Sequence, residues 1–332
     1  MNLKKEVRLS EISEKFRRIN VKINNNFLKF MLVEASNSKK PHCNLEFIKK
    51  LGLKFTTEYS CYTVYAWTKY EQTIPLNKLV ILSKLSKTNW QEIEKNILSF
   101  NAGSGTIFPK FPIKIDKRLG SIVGHIMGDG SIDKRYQQVF FSNSEKELLK
   151  EFSDSMKDIF GVNPRIWMQK APEYGNTQWD KRLNHINELI DGRNGGLFYP
   201  TICGLVLNAI FGNFAIGKEK SITKEIRNSN TEFKKGFLRA FYDDESTVGK
   251  KSIRLFQDNK ETLETIRNLL QEFNILPGKI KRYLKRDKER FYFDIFKKSN
   301  FLKFQNEIGF TSPQKSEKLR KLNIIIKPWN TK

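Results

Sequence analysis

Three segments occur twice along this chain, in the same order and at nearly the same spacing. LGSIVGHIMGDG at 119–130 matches KGFLRAFYDDES at 235–246. Each is an apolar stretch holding small residues and ending in acids, with Asp129 standing 116 positions before Glu245. VFFSNSEKELL (139–149) matches IRLFQDNKETL (253–263) at a separation of 114: a short strand-like run, a polar residue, Lys-Glu, then an amphipathic helix. FGVNPRI (160–166) matches FNILPGKI (273–280): a helix end, a turn at Pro164 or Pro277, then a basic strand. Three matches in one order are hard to obtain by chance. The region is a duplication, each half running helix, strands, helix, strands, helix.

Read as a helix, 119–130 places Leu119, Ile122, Val123 and Ile126 at helical spacing, while Gly120, Gly124 and Gly128 share one face. Glycine inside a helix costs roughly 1 kcal/mol against alanine. Close approach of a second helix backbone is the reason to keep it. The matching face of the second copy carries Gly236, Ala240 and Asp244. Packed through these faces, the helices bring Asp129 and Glu245 together. Paired carboxylates at the negative ends of two helix dipoles repel, and Mg²⁺ or Mn²⁺, which take oxygen ligands, would neutralise them. A cation held there could activate water and stabilise the attacking and leaving oxygens of a phosphodiester.

Charge points the same way. The 332 residues carry 60 Lys+Arg against 36 Asp+Glu, a formal net charge of +24, which repels itself unless a polyanion is near. With 39% hydrophobic residues the chain can bury a sizeable core, which excludes a disordered basic tail. Cys43, Cys61 and Cys203 are odd in number and form no CxxC pair, and MNLKKEVRLSE is no secretion signal, so an intracellular setting, cytoplasmic or organellar, is expected. Residues 197–217 are uncharged and long enough to span a bilayer, but Pro200, Asn208 and Asn213 predict a buried helix and no membrane partner. Gly103, Gly105, Pro109 and Pro112 mark 101–116 as a linker. It separates a mostly helical N-terminal module (1–100) from the halves at 117–217 and 218–332. Within the module, a helical stretch around Thr63–Trp67 followed by Pro75 and a helix at 76–86 resembles a helix-turn-helix, with 76–86 entering the major groove; a packing module without DNA contact is the alternative. A further helix is predicted at 88–98, capped by Thr88 or Asn89.

IVGHIMGDG (122–130) and LRAFYDDES (238–246) resemble the two copies of the motif that names the LAGLIDADG homing endonucleases, and the resemblance covers roughly 117–310. It implies an α+β fold of two pseudo-symmetric αββαββα halves with antiparallel, saddle-shaped sheets. It implies that Asp129 and Glu245 are catalytic and bind metal, with the backbone carbonyls of Gly128 and Asp244 as further ligands. It places Asn143 and Gln257 beside the scissile phosphates; a strand-end cap is the alternative reading of each. Lys134, Lys250 and Lys251 are candidates for a cation in that shell. The second copy departs from the motif at Ala240 and at Ser246, where glycine is usual. His125, with no metal-ligand spacing to His42 or His185, is predicted to be a packing residue.

Base and phosphate contacts are expected from the strands. The segment 279–298 has nine basic and three acidic residues, and Lys279, Lys281, Tyr283 and Lys285 fall on one strand face. Arg135, Gln137, Arg165, Trp167 and Gln169 in the first half, and Arg254 in the second, complete the DNA-contact set; 172–195 reads as an extended loop. The function so implied is a Mg²⁺-dependent (Mn²⁺ as substitute), monomeric, free-standing endonuclease making a staggered double-strand break in a long asymmetric DNA target. Met1 and a chain end reading PWNTK do not match intein splice junctions. The alternatives are an intron RNA maturase of the same fold, binding RNA, and a non-catalytic DNA-binding transcription regulator.

Overall fold

The computed structural model describes residues 4–16, 19–53, 59–103, 105–169, 179–217, 219–285 and 288–325. Its spine is the pair of motif helices, Lys117–Met127 and Thr231–Glu245. The Asp116 carboxylate caps the first by accepting from the Arg118 and Leu119 amides, and the Asn230 side chain caps the second by accepting from Phe233. Asn230 Nδ2 also donates to the Ile115 carbonyl at 2.6 Å, fastening the two helix starts together. The glycine expectation holds in detail. A Cβ on Gly120 would lie 2.0 Å from the Phe233 carbonyl oxygen, and one on Gly236 would lie 1.9 Å from that of Lys117. The backbones touch where side chains would otherwise keep them apart.

Each half wraps its helix with an antiparallel sheet. In the second half the order is Ser246–Val248, Ile253–Gln257, Lys288–Ile295, Lys281–Lys285. The first half begins from the same plan, with Gly130–Ile132, Val139–Asn143, Gly195–Tyr199 and Arg165–Gln169 hydrogen-bonded in that order. It then departs from four strands. Trp179–Leu183 pairs with Arg165–Gln169, so the expected loop at 172–195 instead supplies strands; residues 170–178 lie outside the described ones. At the other edge Ala215–Ile216 pairs parallel to Gly130–Ile132, followed by Glu219–Lys220. Alternation sorts the faces. Val139, Phe141, Ile166, Leu197 and Tyr199 point inward, as do Ile253, Leu255, Phe293 and Ile295; all are buried. The residues alternating with them, Phe140, Arg165, Trp167 and Phe198, and Arg254, Phe256, Tyr283 and Tyr292, take the outer face.

The N-terminal module is mostly helical but carries its own four-stranded sheet, from Asn20–Ile23, Ile74–Pro75, Ile97–Ala102 and Gly105–Ile107. The segment 101–116 is therefore no free linker: Gly105–Ile107 belongs to that sheet and Ile113–Lys114 pairs with Glu6–Val7. The predicted helices at 76–86 and 88–98 are present as Leu76–Ser86 and Trp90–Asn96, the latter capped by the Asn89 side chain. Leu76–Ser86 buries one face in the module and leaves Asn77 and Lys84 exposed. Leu76, Leu79, Val80 and Leu82 are buried, Lys78 donates to the Leu51 and Gly52 carbonyls, and Lys84 pairs with Glu14. The uncharged stretch forms the buried helix Thr201–Phe211, and among the described residues no helix is long and apolar enough to cross a membrane.

Candidate active site between the motif helices

The chain leaves the first motif helix at Met127 and the second at Glu245, bringing Asp129, Asp244 and Glu245 into one cluster. Asn143 ends its strand beside them: its Nδ2 donates to Asp129 Oδ2 at 3.0 Å and reaches Asp244 Oδ1 at 3.4 Å. Gln257 ends the equivalent strand and hydrogen-bonds Glu245. Both polar residues thus reach an acid from equivalent places.

Burial, then the Asp244 and Glu245 charges, pushes Asp129 up to about 7. Its surface is exposed, so water screens this push more than at half-buried Glu245. Burial likewise raises Glu245 to about 7, opposed by Lys220. Lys220 was not foreseen. It stands on the strand joining the halves, and its Nζ donates to the Gly128 carbonyl. Burial holds its pKa below the ordinary value although three acids draw it upward. Lys315, near the start of the helix Pro313–Ile325, occupies the matching place on the other side: its Nζ donates to the Tyr242 carbonyl at 3.3 Å and to that of Asp243. A sequence signal existed. Phe214 and Lys220-Ser221, after the first half's last helix, mirror Phe310 and Lys315-Ser316.

His125 is more than a packing residue. Fully buried, it lies 3.0 Å from Asp244 Oδ2 through Nδ1 and 3.0 Å from Glu151 Oε2 through Nε2. Burial opposes its charge, but the Asp244 and Glu151 carboxylates outweigh this and raise it to about 10. An imidazolium therefore ties the two motif helices together. Asp243, fully buried, accepts from the Thr311 and Ser312 amides and anchors the C-terminal helix.

Among the described residues no three or more His, Cys, Asp or Glu side chains converge as a metal cage. The site offers two carboxylates raised by burial and mutual repulsion, with oxygen donors around them. That donor set suits a hard divalent cation, which would relieve the repulsion. The Gly128 carbonyl, expected as a ligand, accepts from Lys220 instead. The Asp244 side chain is turned across to His125. Of the lysines singled out from sequence, Lys134 lines a cleft of about 770 Å³ with Lys220, Glu245 and Gln257. Lys250 and Lys251 sit exposed on the turn between Ser246–Val248 and Ile253–Gln257 and do not line it.

Arg165, Trp167 and Gln169 share the outer face of the first sheet; Gln169 Oε1 accepts from Asn194 at 2.8 Å. Lys281 and Tyr283 share that of the second, and Lys279 is exposed just before the strand. The side chain of Lys285 lies outside the described residues. Arg254 is held by buried Asp294 at 2.7 and 3.2 Å and lies 4.4 Å from the Tyr292 ring centre, so its guanidinium is already engaged. Gln137 is engaged too, accepting from Asn208 at 2.7 Å and donating to the Lys134 carbonyl at 3.2 Å; neighbouring Arg135 is exposed.

The chain is 25% identical over 263 residues to a Replication factor C small subunit of Methanocaldococcus jannaschii, a match covering 76% of this chain and 12% of that protein. It is 26% identical over 212 residues to the DNA-directed RNA polymerase subunit Rpo1C of the same organism, covering 63% and 21%. It thus spans a small part of the curated relatives it matches. Among solved structures, the homing endonuclease I-DmoI in complex with DNA and Mn is 15% identical, with a TM-score of 0.41, covering 59% of this chain and 97% of that one. The LAGLIDADG-like domain description matches residues 116–202 and again 232–309, the same two halves that the repeat delimits. With both motif helices packed face to face, the chain belongs to the LAGLIDADG family.

Proposed function

We propose that the protein is a site-specific DNA endonuclease that makes a divalent-metal-dependent, staggered double-strand break in a long, asymmetric target. The observation that carries this reading is the meeting of Asp129 and Glu245, one from each half, with Asn143, Gln257, Lys134 and Lys220 around them. A bound Mg²⁺ would supply charge for the phosphoryl oxygens and lower the pKa of a water. The chain's own groups do the rest. Asp129 and Glu245 hold the cation, with the Asp244 carbonyl as a further donor. Asn143 and Gln257 fix the orientation of the acids and of nearby water. Lys220, and Lys134 at the cleft's rim, face the phosphate charge that grows during cleavage. Arg165, Trp167, Gln169 and Arg135, with Lys279, Lys281, Tyr283 and Lys285, contact the duplex from the outer sheet faces, in a monomer whose unequal halves suit an asymmetric site. The matching segment makes up 12% of a Replication factor C small subunit and 21% of a DNA-directed RNA polymerase subunit, which supports reading it as a separable unit.

The test is incubation with DNA in which the sequence flanking the reading frame is rejoined, in Mg²⁺ for cutting and Ca²⁺ for binding. Cutting at one site, abolished by Asp129→Asn or Glu245→Gln with binding kept, is expected. No cut in Mg²⁺ at any concentration, alongside tight binding of intron RNA, would overturn the reading.

A further inference from the structure

The first sheet reaches farther from the paired acids than the second. Gly130–Ile132 starts directly after Asp129, and the order continues through Val139–Asn143, Gly195–Tyr199 and Arg165–Gln169 to Trp179–Leu183. Ser246–Val248 starts directly after Glu245, and among the described residues its sheet ends at the fourth strand, Lys281–Lys285. The short strands Ala215–Ile216 and Glu219–Lys220 sit at the inner edge of the first sheet, beside Gly130–Ile132, and add nothing to that reach. The αββαββα plan accounts for four strands in each half. The fifth strand, Trp179–Leu183, is this chain's own.

That strand continues the sorting of faces. Leu183 pairs with Ile166 and both are buried, so Arg182, which pairs with Trp167, falls on the outer face. Arg182 is exposed and, like Arg165, forms no ion pair or hydrogen bond among the described residues. The outer face of the second sheet differs: Arg254 is held by Asp294 and Arg290 by Asp258. A guanidinium held by a carboxylate must give up that bond to take another, whereas Arg182 keeps its whole fork of donors. We propose that the first half reads a longer half-site than the second, with Arg182 as its outermost base-reading side chain. Its fork suits the O6 and N7 acceptors that guanine presents in the major groove. Neighbouring strands lie about 4.8 Å apart and base pairs about 3.4 Å, so the fifth strand adds roughly one or two base pairs. This rests on the endonuclease reading above.

The test uses the full chain in Ca²⁺, for binding without cutting. The target duplex is randomised one base pair at a time outward from the cut, and the bound fraction is sequenced. A photo-crosslinking residue at Lys181, exposed beside Arg182, marks the end of the target that the fifth strand faces; no crosslink to DNA would overturn the proposal. Sequence preference should extend roughly one or two base pairs farther at the crosslinked end, with guanine preferred there. Arg182→Ala should cut discrimination at those outermost pairs by roughly tenfold to a hundredfold and keep it at the inner ones, while Arg182→Lys retains part of it. Three results would overturn the longer half-site and leave the endonuclease reading standing: preferences of equal length on both sides, an outermost preference that Arg182→Ala leaves intact, or a loss uniform over all sequences, the mark of a phosphate contact. A chain that prefers no sequence on either side overturns that reading instead.

Discussion

The two motif helices descend from one pattern but are no longer alike. The first is lined with glycine: Gly120, Gly124 and Gly128 receive the backbone at Phe233 and Phe237 and the side chain of Asp244. The second is lined with Phe233, Phe237 and Phe241, stacked along its length at 6.4 and 5.9 Å. A polar tie exists on one side only. His125 meets Asp244, whereas the equivalent pair on the other side would be Phe241 and Gly128. A duplicated interface starts as self-complementary. Gly236 apart, the hollows have collected on the first copy and the bulk on the second, so neither helix could replace its partner.

Filling a hollow should therefore have the largest effect. Gly236→Val sets atoms within 1.9 Å of the Lys117 carbonyl oxygen, backbone that cannot step aside. We expect a loss of roughly 4 kcal/mol or more in thermal or urea unfolding. Gly249→Ala, whose Cβ would meet only the Ser252 carbonyl at 3.7 Å, is the control and should change stability little. Equal losses would mean that close helix contact is not what the glycines serve.

Next comes the polar tie. His125→Phe strands the Asp244 carboxylate without its cation and leaves Glu151 with Arg239 at 3.9 Å, at a cost of roughly 3–5 kcal/mol. Adding Asp244→Ala and Glu151→Gln should recover much of it. The pH dependence has a definite sign. His125 titrates near 10 folded against 6.5 unfolded, so its contribution is complete below about 6.5 and disappears as pH rises through about 10. Stability of the wild type should fall across that window more steeply than that of His125→Phe. Parallel profiles would show that His125 is uncharged in the fold.

The acids should show the opposite sense of strain. Glu245 is raised from 4.5 to about 7, so folding works against its ionisation once pH exceeds its unfolded value. Glu245→Gln should then raise stability at pH 8 by on the order of 2–3 kcal/mol and leave it unchanged at pH 4. The same shift makes cation binding release protons and tighten as pH rises through about 7, which calorimetry in two buffers would read. A less stable Glu245→Gln at pH 8 would mean that Lys220 already neutralises the pair.

How far these features could be read in advance depended on the distance their evidence spans. The glycine face and each acid were legible because each lies within one helical stretch of a dozen residues, and the duplication because such stretches recur in the same order. The strand Trp179–Leu183 was not, since the polar, glycine-containing 172–195 carries no alternation to mark it. His125 looked like packing because its meaning comes from Glu151 on one helix and Asp244 on another, and sequence gives no register between elements. Lys220 and Lys315 come after the third helix of each half, where the repeat has drifted to little beyond a phenylalanine and Lys-Ser. The partners of Gln137 and Arg254 were hidden for a related reason: alternation gives a residue's face but not the side chain it pairs with.

Those two lysines give the finest test of the difference between the halves. Both donate to carbonyls at the end of a motif helix, where unpaired C=O groups and the dipole favour a cation. Only Lys220 also lines the cleft with Glu245 and Gln257. Lys220→Met should therefore slow cutting by about a hundredfold, in the range seen when one stabilising donor is removed. Lys315→Met removes a helix-end contact near the Asp243 anchor of the last helix. It should cost about 1 kcal/mol of stability and slow cutting only where the helix end shifts. If both variants slow cutting alike with unfolding unchanged, the lysines act as an equal pair. If Lys315→Met alone does so, the inequality runs the other way.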